Sequence, residues 1–120
     1  MVGKNSWYIP DGFMNATANG GFESHEAACV LNMNAEDALV TLTFYFEDRE
    51  PLEGFRVTVP GKRTKHIRFD WIENEQGEKV PHGVPYAVTV MSTLPVIVQH
   101  SRMDVSQPEM TLMTTIAYGE

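Results

Sequence analysis

The stretch Ala38-Leu39-Val40-Thr41-Leu42-Thr43-Phe44-Tyr45-Phe46-Glu47 alternates apolar side chains with more polar ones. Valine, leucine and phenylalanine occupy the even positions from 40 to 46, and threonine, tyrosine and glutamate occupy the odd positions from 41 to 47. Because successive side chains of a β-strand point to opposite faces, this pattern predicts a strand with one buried face. The stretch therefore indicates a fold built on sheets.

Similar runs recur along the chain between turn residues, whereas helix signals are weak. Pro60-Gly61 predicts a turn that joins two runs into a hairpin, and Leu94-Pro95 predicts a break between two others. The polar residues 10–24 and 73–85 predict loops. We expect one domain over residues 1–120, an all-β antiparallel β-sandwich of jelly-roll type with about eight short strands. The predicted strands cover residues 7–9, 27–32, 38–47, 54–60, 63–70, 86–92, 95–104 and 110–118.

Charge and hydropathy disfavour several classes of protein. The net charge of −7 disfavours a nucleic-acid partner, because phosphates are attracted by a basic surface. No apolar run approaches the ~18 residues that span a membrane, and the first residues lack the apolar core of a signal peptide, so we expect a cytoplasmic protein. The single cysteine, Cys29, allows no intramolecular disulfide, and its apolar neighbours predict a small buried side chain.

The pattern His-x-Arg-x-Asp occurs twice, at residues 66–70 and 100–104, each time in a predicted strand. Within one strand its three polar side chains share a face. Arginine binds carboxylates and phosphates through paired hydrogen bonds, and histidine adds a donor and an acceptor. If the two strands lie close together, the two rows would line one concave site for a sugar, a carboxylate or a phosphorylated metabolite.

Two other interpretations of the rows remain open. Charged side chains on a strand face are often only solvated, and exposed ion pairs contribute about 0–1 kcal/mol. Arginine is also common in subunit interfaces, so the rows would equally fit a contact between protomers.

Metal binding and catalysis receive less support from the sequence. The four histidines include no His-x-His pair, and there is no cysteine pair of the kind that zinc sites use. Ser24-His25-Glu26 contains the residue types of a catalytic triad, but neighbours in a strand point away from one another. We therefore predict no catalytic residue, no metal site and no cofactor.

Four blocks stand in a consistent order along the chain: SHEAACVLN (24–32), PGKRTKHIRF (60–69), PVIVQHSRMD (95–104) and TIAY (115–118). With these blocks, the sequence from about residue 7 to residue 118 resembles the sensory-rhodopsin-transducer family. The resemblance implies a cytoplasmic β-sandwich that forms a homotetramer and partners a membrane photoreceptor. Two further roles follow from the resemblance as alternatives: binding of a small molecule such as a sugar, and regulation linked to DNA. The candidate residues in the shared blocks are Glu26, Asn32, Arg63, His66, Arg68, His100, Arg102 and Asp104.

We expect a non-enzymatic, homo-oligomeric module that binds a small polar or anionic metabolite. The main alternative is a signal-transducing adaptor whose polar rows build the tetramer or contact a photoreceptor. DNA-linked regulation is a third hypothesis, and it conflicts with the net charge. The complete set of candidate ligand-binding residues is Trp7, Glu26, Asn32, Tyr45, Arg63, His66, Arg68, His100, Arg102 and Asp104.

Overall fold

The structure, a computed structural model, describes residues 2–120 and contains ten β-strands and no helix in that range. Every strand pair is antiparallel, so the prediction of an all-β antiparallel fold is confirmed. Three of the ten strands have only two residues each. The strands are β1 (Lys4–Gly12), β2 (Ala18–Asn19), β3 (Phe22–Glu23), β4 (His25–Asn32), β5 (Ala38–Phe46), β6 (Leu52–Val59), β7 (Arg63–Arg68), β8 (Tyr86–Asp104), β9 (Thr111–Ile116) and β10 (Tyr118–Gly119).

Eight of the strands form two packed sheets that share the long strand β8, and β2 and β3 pair only with each other. Its first part pairs with β1 and β5, and its second part pairs with β4 and β9. One sheet has the order β10-β1-β8-β5-β6, and the other has the order β9-β8-β4-β7. The apolar faces meet in one core, in which Val40, Leu42 and Phe44 have no exposed surface. The alternation in residues 38–47 predicted this buried face correctly.

The predicted break at Leu94-Pro95 is wrong, because β8 runs through both residues without interruption. Ser92 is the last residue of β8 that pairs with β5, and Ile97 is the first residue of β8 that pairs with β4. Pro95 therefore lies where the strand passes from one sheet to the other. No ladder requires the N–H that proline lacks at this point, so the strand tolerates it.

The predicted hairpin across Pro60-Gly61 is also wrong, because β6 pairs with β5 and β7 pairs with β4. The connection between β6 and β7 instead carries the chain from one sheet to the other. It is held by the bend after β4: the Gly61 N–H donates to Asp37 Oδ1 at 2.9 Å, and the Lys62 N–H donates to the Asn34 carbonyl at 2.9 Å. A turn signal does not reveal which partner each flanking strand will choose.

A second crossing between the sheets lies at the C-terminal end. β9 pairs with β8 in one sheet, β10 pairs with β1 in the other, and Ala117 stands between them. The Ala117 N–H donates to the Val98 carbonyl at 3.1 Å, which fixes the crossing against β8. The sandwich therefore has one side bounded by β9 and β10 and an opposite side bounded by β6 and β7.

Candidate functional site

The two His-x-Arg-x-Asp rows lie on opposite faces of the same sheet. His66 is paired with Cys29 of β4, whereas His100 is paired with the next residue, Ala28. Because neighbouring residues of β4 point to opposite faces, the two rows do as well. His66 is exposed and His100 is 3% exposed. The prediction of one pocket shared by both rows is wrong. Cys29, which was predicted to be buried, is only half-buried and lies on the same outer face as His66.

We call residues 100–104 the inner row and residues 66–70 the outer row. The inner row lies around the carboxylate of Glu26, which is fully buried. An ionised carboxylate only accepts hydrogen bonds, so His100 Nε2 donates to Glu26 Oε1, at 2.7 Å. Arg102 Nε donates to Glu26 Oε2 at 2.7 Å, and the Phe13 N–H donates to the same oxygen at 2.6 Å. We call Glu26, His100 and Arg102 the Glu26 cluster.

The Glu26 cluster keeps its carboxylate ionised in spite of burial. Burial by itself raises the pKa of Glu26, but the hydrogen bonds from His100 and Phe13 and the charge of Arg102 outweigh it. The pKa of Glu26 therefore lies below its usual range. Burial by itself lowers the pKa of Arg102, but the Glu26 carboxylate raises this pKa by more than burial lowers it. Both Glu26 and Arg102 therefore remain charged.

Tyr86 completes the wall of the cluster from the first residue of β8. Its ring packs against Phe44 at 5.5 Å and Phe69 at 6.1 Å between centroids. Burial and the neighbouring Glu26 charge raise the pKa of Tyr86. Glu26 is near enough to act on the phenol electrostatically, but the Tyr86 hydroxyl is buried without a well-aligned hydrogen-bond partner.

A cavity of about 320 Å³ opens from the Glu26 cluster toward the side of the sandwich bounded by β9 and β10. His100 and Arg102 form its polar end, and the Asp11 carboxylate lies 3.6 Å from Arg102 Nη2. The rings of Tyr8 and Tyr118 stand 6.1 Å apart, centroid to centroid, at its wall. We call this space the β1–β9 cavity; it is lined by Tyr8, Ile9, Pro10, Asp11, His100, Arg102, Met113, Thr115, Ile116, Ala117 and Tyr118.

Comparison with known proteins assigns the family. The sequence profile of the family described as Anabaena sensory rhodopsin transducer matches residues 2–119. The chain belongs to this family. The resemblance found in the sequence is therefore confirmed.

Two solved structures share this transducer fold. The crystal structure of Thermotoga maritima 1070 superimposes with a TM-score of 0.88 at 37% identity, over 100% of this chain and 97% of that one. The Anabaena sensory rhodopsin transducer superimposes with a TM-score of 0.77 at 40% identity, over 90% of this chain and 95% of that one. No curated protein sequence matches the chain.

In this transducer-family domain, the outer row forms a second polar surface. Arg68 Nε and Nη2 donate to the two carboxylate oxygens of Asp70 at 3.0 and 2.7 Å. The Arg68 guanidinium carbon lies 3.9 Å from the centre of the Trp71 ring. Arg68 and Trp71, together with exposed His66, line a groove between β6 and β7 that is separate from the β1–β9 cavity.

Several candidate residues have structural roles away from the β1–β9 cavity. The Trp7 indole N–H donates to the Val96 carbonyl at 3.0 Å, and its ring belongs to the core. Asn32 is fully buried; its amide nitrogen donates to the Glu36 and Val59 carbonyls, and its oxygen accepts from the Asn34 N–H. These bonds fix the bend after β4, which explains an asparagine at this position.

The remaining candidates are placed near the surface. Asp104 accepts hydrogen bonds from the hydroxyl and N–H of Ser106, which lower the pKa of Asp104 and stabilise the turn before β9. Tyr45 lines a neighbouring groove that shares Pro10 and Asp11 with the β1–β9 cavity. Arg63 is exposed on β7, where it donates to the carbonyl of Lys62.

Sequence reasoning missed several residues of both surfaces. Asp11 and Tyr118 line the β1–β9 cavity, but their segments meet only through the pairing of β10 with β1. Trp71 follows β7 outside any strand, so strand alternation gave no signal for it. Within residues 2–120, no group of three histidine, cysteine, aspartate or glutamate side chains is placed to hold a metal ion.

Proposed function

We propose that this transducer-family chain is a non-enzymatic, cytoplasmic signalling domain that binds a small neutral polar molecule, such as a sugar, in the β1–β9 cavity. The observation that carries the proposal is the combination of aromatic walls with convergent polar groups in a space of about 320 Å³. Small-molecule sites typically have volumes of ~300–1,000 Å³ and pair apolar walls with a few fixed polar groups. The tyrosine rings supply flat surfaces, and Arg102, Asp11 and Thr115 supply hydrogen-bonding groups.

Charge balance supports a neutral ligand over an anionic one. The positive charge of Arg102 is already matched by Glu26, which accepts from Nε, and by Asp11 near Nη2. Two carboxylates therefore surround one guanidinium at the polar end of the cavity. A phosphorylated or carboxylated ligand would gain little attraction there, whereas hydroxyl groups can both donate to Asp11 and accept from Arg102.

The position of the cavity supports a signalling role. A bound molecule would touch Thr115 and Ile116 of β9 and Tyr118 of β10. These strands are short and lie at the edges of their sheets, so few other contacts hold them. Binding would therefore fix the segment that crosses between the sheets and would change the surface offered to a partner.

The partners proposed for this surface are further copies of the chain and a membrane photoreceptor. Every residue of β9 is exposed, and Leu112 and Ile116 are 72% and 62% exposed. Apolar side chains concentrated on an edge strand are typical of an interaction surface. If the cavity binds no small molecule, an adaptor acting through β9 is the alternative function.

The experiment is a thermal-unfolding screen of neutral sugars and sugar phosphates against the parent protein and two variants. Tyr118→Ala removes one aromatic wall of the cavity, and it should leave the fold intact because Tyr118 is 64% exposed. Tyr45→Ala is the control, since it removes an exposed tyrosine from the neighbouring groove. A ligand at about 100 times its Kd should stabilise the parent by about 2.7 kcal/mol.

We expect a neutral sugar to raise the unfolding temperature of the parent and of Tyr45→Ala, but not that of Tyr118→Ala. Sugar phosphates should have a smaller effect than the corresponding sugars. A shift that survives in Tyr118→Ala would place binding elsewhere. No shift with any neutral polar compound would favour the adaptor, and the search would move to protein partners.

A further inference from the structure

The groove on the opposite side of the sandwich lies between two free strand edges. β6 pairs only with β5, and β7 pairs only with β4, so each has one edge without a strand partner in the part of the chain described. The groove has a volume of about 430 Å³, with Val57 and Ile72 as apolar floor. We call it the β6–β7 groove; it is lined by Arg56, Val57, Thr58, Lys65, His66, Ile67, Arg68, Trp71 and Ile72.

Positive charge is concentrated around this groove in a chain whose net charge is −7. Five of the nine lysine and arginine residues lie between residues 56 and 68. Arg56 is paired with Glu75, and Arg68 is paired with Asp70. Within residues 2–120, no carboxylate lies within ion-pair distance of the three others, Lys62, Arg63 and Lys65. This edge therefore offers uncompensated positive charge.

Trp71 is an exposed aromatic side chain that is held in a fixed position. It is 68% exposed, yet the Arg68 guanidinium stacks on its ring at 3.9 Å. Arg68 is itself fixed by two hydrogen bonds to Asp70, whose side chain is 2% exposed. Tryptophan and arginine are enriched among the residues that dominate binding energies, and fixing them in advance lowers the entropic cost of association.

Protection of a sheet edge explains only part of this arrangement. Lysine on an edge strand discourages edge-to-edge pairing, and Lys65 fits that role. Edge protection does not require a tryptophan that is exposed and braced by a bidentate arginine. A large polyanion such as nucleic acid would be repelled by the net negative charge of the rest of the molecule. A short acidic segment would contact only the basic groove.

We infer that the β6–β7 groove docks an extended acidic segment of a partner protein by adding a strand to the edge of β7. The unpaired backbone groups of β7 supply main-chain hydrogen bonds, as in other strand-addition complexes. Alternate side chains of the segment face the apolar floor and the Trp71 ring. Its carboxylates lie against Lys65 and Arg63.

The test uses a short synthetic peptide of alternating glutamate and valine with blocked termini, titrated at physiological salt. Trp7 is buried and Trp71 is exposed, so a blue shift of tryptophan emission on binding reports burial of Trp71. Lys65→Glu should weaken binding at least tenfold. Arg49→Glu is the matched control, because Arg49 is exposed, lies outside the groove and undergoes the same change of charge.

Amide hydrogen exchange then distinguishes strand addition from attraction between charges alone. We expect slower exchange in residues 63–68 when the peptide is bound, and no slowing from a lysine–valine peptide. The inference is overturned by absence of saturable binding, by equal weakening in Lys65→Glu and Arg49→Glu, or by unchanged exchange in β7. Tighter binding of duplex DNA or of anionic phospholipid vesicles than of the peptide would also overturn it, in favour of a polyanion surface.

Discussion

At the scale of single residues, Glu26 links the fold to the candidate site. A fully buried carboxylate is costly unless it is paired and hydrogen-bonded, and three donors meet its two oxygens. Those donors come from β8 and from the segment after β1, so Glu26 also joins elements that do not follow one another in sequence. The same pairing orients Arg102 into the β1–β9 cavity.

We predict that Glu26→Gln destabilises the protein at neutral pH and reduces the pH dependence of its stability. Loss of one partner of a buried ion pair costs about 3–5 kcal/mol, and we expect the lower end of this range because Arg102 keeps the exposed Asp11 as a counter-charge. The folded-state pKa of Glu26 is lowered from 4.5. Its contribution to stability is therefore fully present above that value and is lost as the pH falls through the folded-state pKa. Urea unfolding over a series of pH values measures both effects.

The matched control for this prediction is Glu109→Gln, an exposed carboxylate for which a change within about 0.5 kcal/mol is expected. The gap in stability between the parent and Glu26→Gln should narrow below pH 4.5. Parallel stability curves for the parent and Glu26→Gln would show that the ionised form of Glu26 is not what the fold stabilises.

At the scale of elements, the crossing between β6 and β7 depends on close backbone approach. A Cβ atom on Gly61 would overlap the carbonyl oxygen of Ala35, whereas a Cβ atom on Gly21 would meet nothing within 4 Å. Neither glycine has a positive φ, so the difference between the two positions is steric. We predict that Gly61→Ala destabilises by about 1–3 kcal/mol, the usual cost of overpacking, and that Gly21→Ala has little effect. Denaturant unfolding of both variants measures this. Equal stability of Gly61→Ala and the parent would mean that the turn moves to accommodate the Cβ atom without loss of stability.

The sequence predicted local strand structure well and strand partnership poorly. The alternation at 40–46 identified a buried face correctly, and the polar side chain of His66 is exposed while its neighbour Ile67 is buried, as alternation along a strand requires. Local spacing did not reveal that His66 pairs with Cys29 while His100 pairs with Ala28. This offset of one residue in register sends the two rows to opposite faces.

At the scale of the whole molecule, the two sides of the sandwich differ in chemistry. One side, between β6 and β7, collects the basic residues and Trp71. The other side presents the apolar side chains of β9 and β10 next to the β1–β9 cavity. A segment in the β6–β7 groove would therefore leave the opposite side free, whereas the proposed ligand and a further protomer would both contact β9.

The apolar side leads to a prediction about assembly. Leu112 is 72% exposed on an edge strand, so the proposed homo-oligomer would bury it, and Leu112→Glu should place a charge in that contact. Sedimentation at several concentrations should give a lower mass for Leu112→Glu than for the parent. Leu39→Glu, the same substitution at a residue that is 41% exposed on β5, should keep the mass of the parent. A monomeric parent would contradict the proposed homo-oligomer. Dissociation of Leu39→Glu but not of Leu112→Glu would show that the interface lies on the outer face of β5 and not on β9.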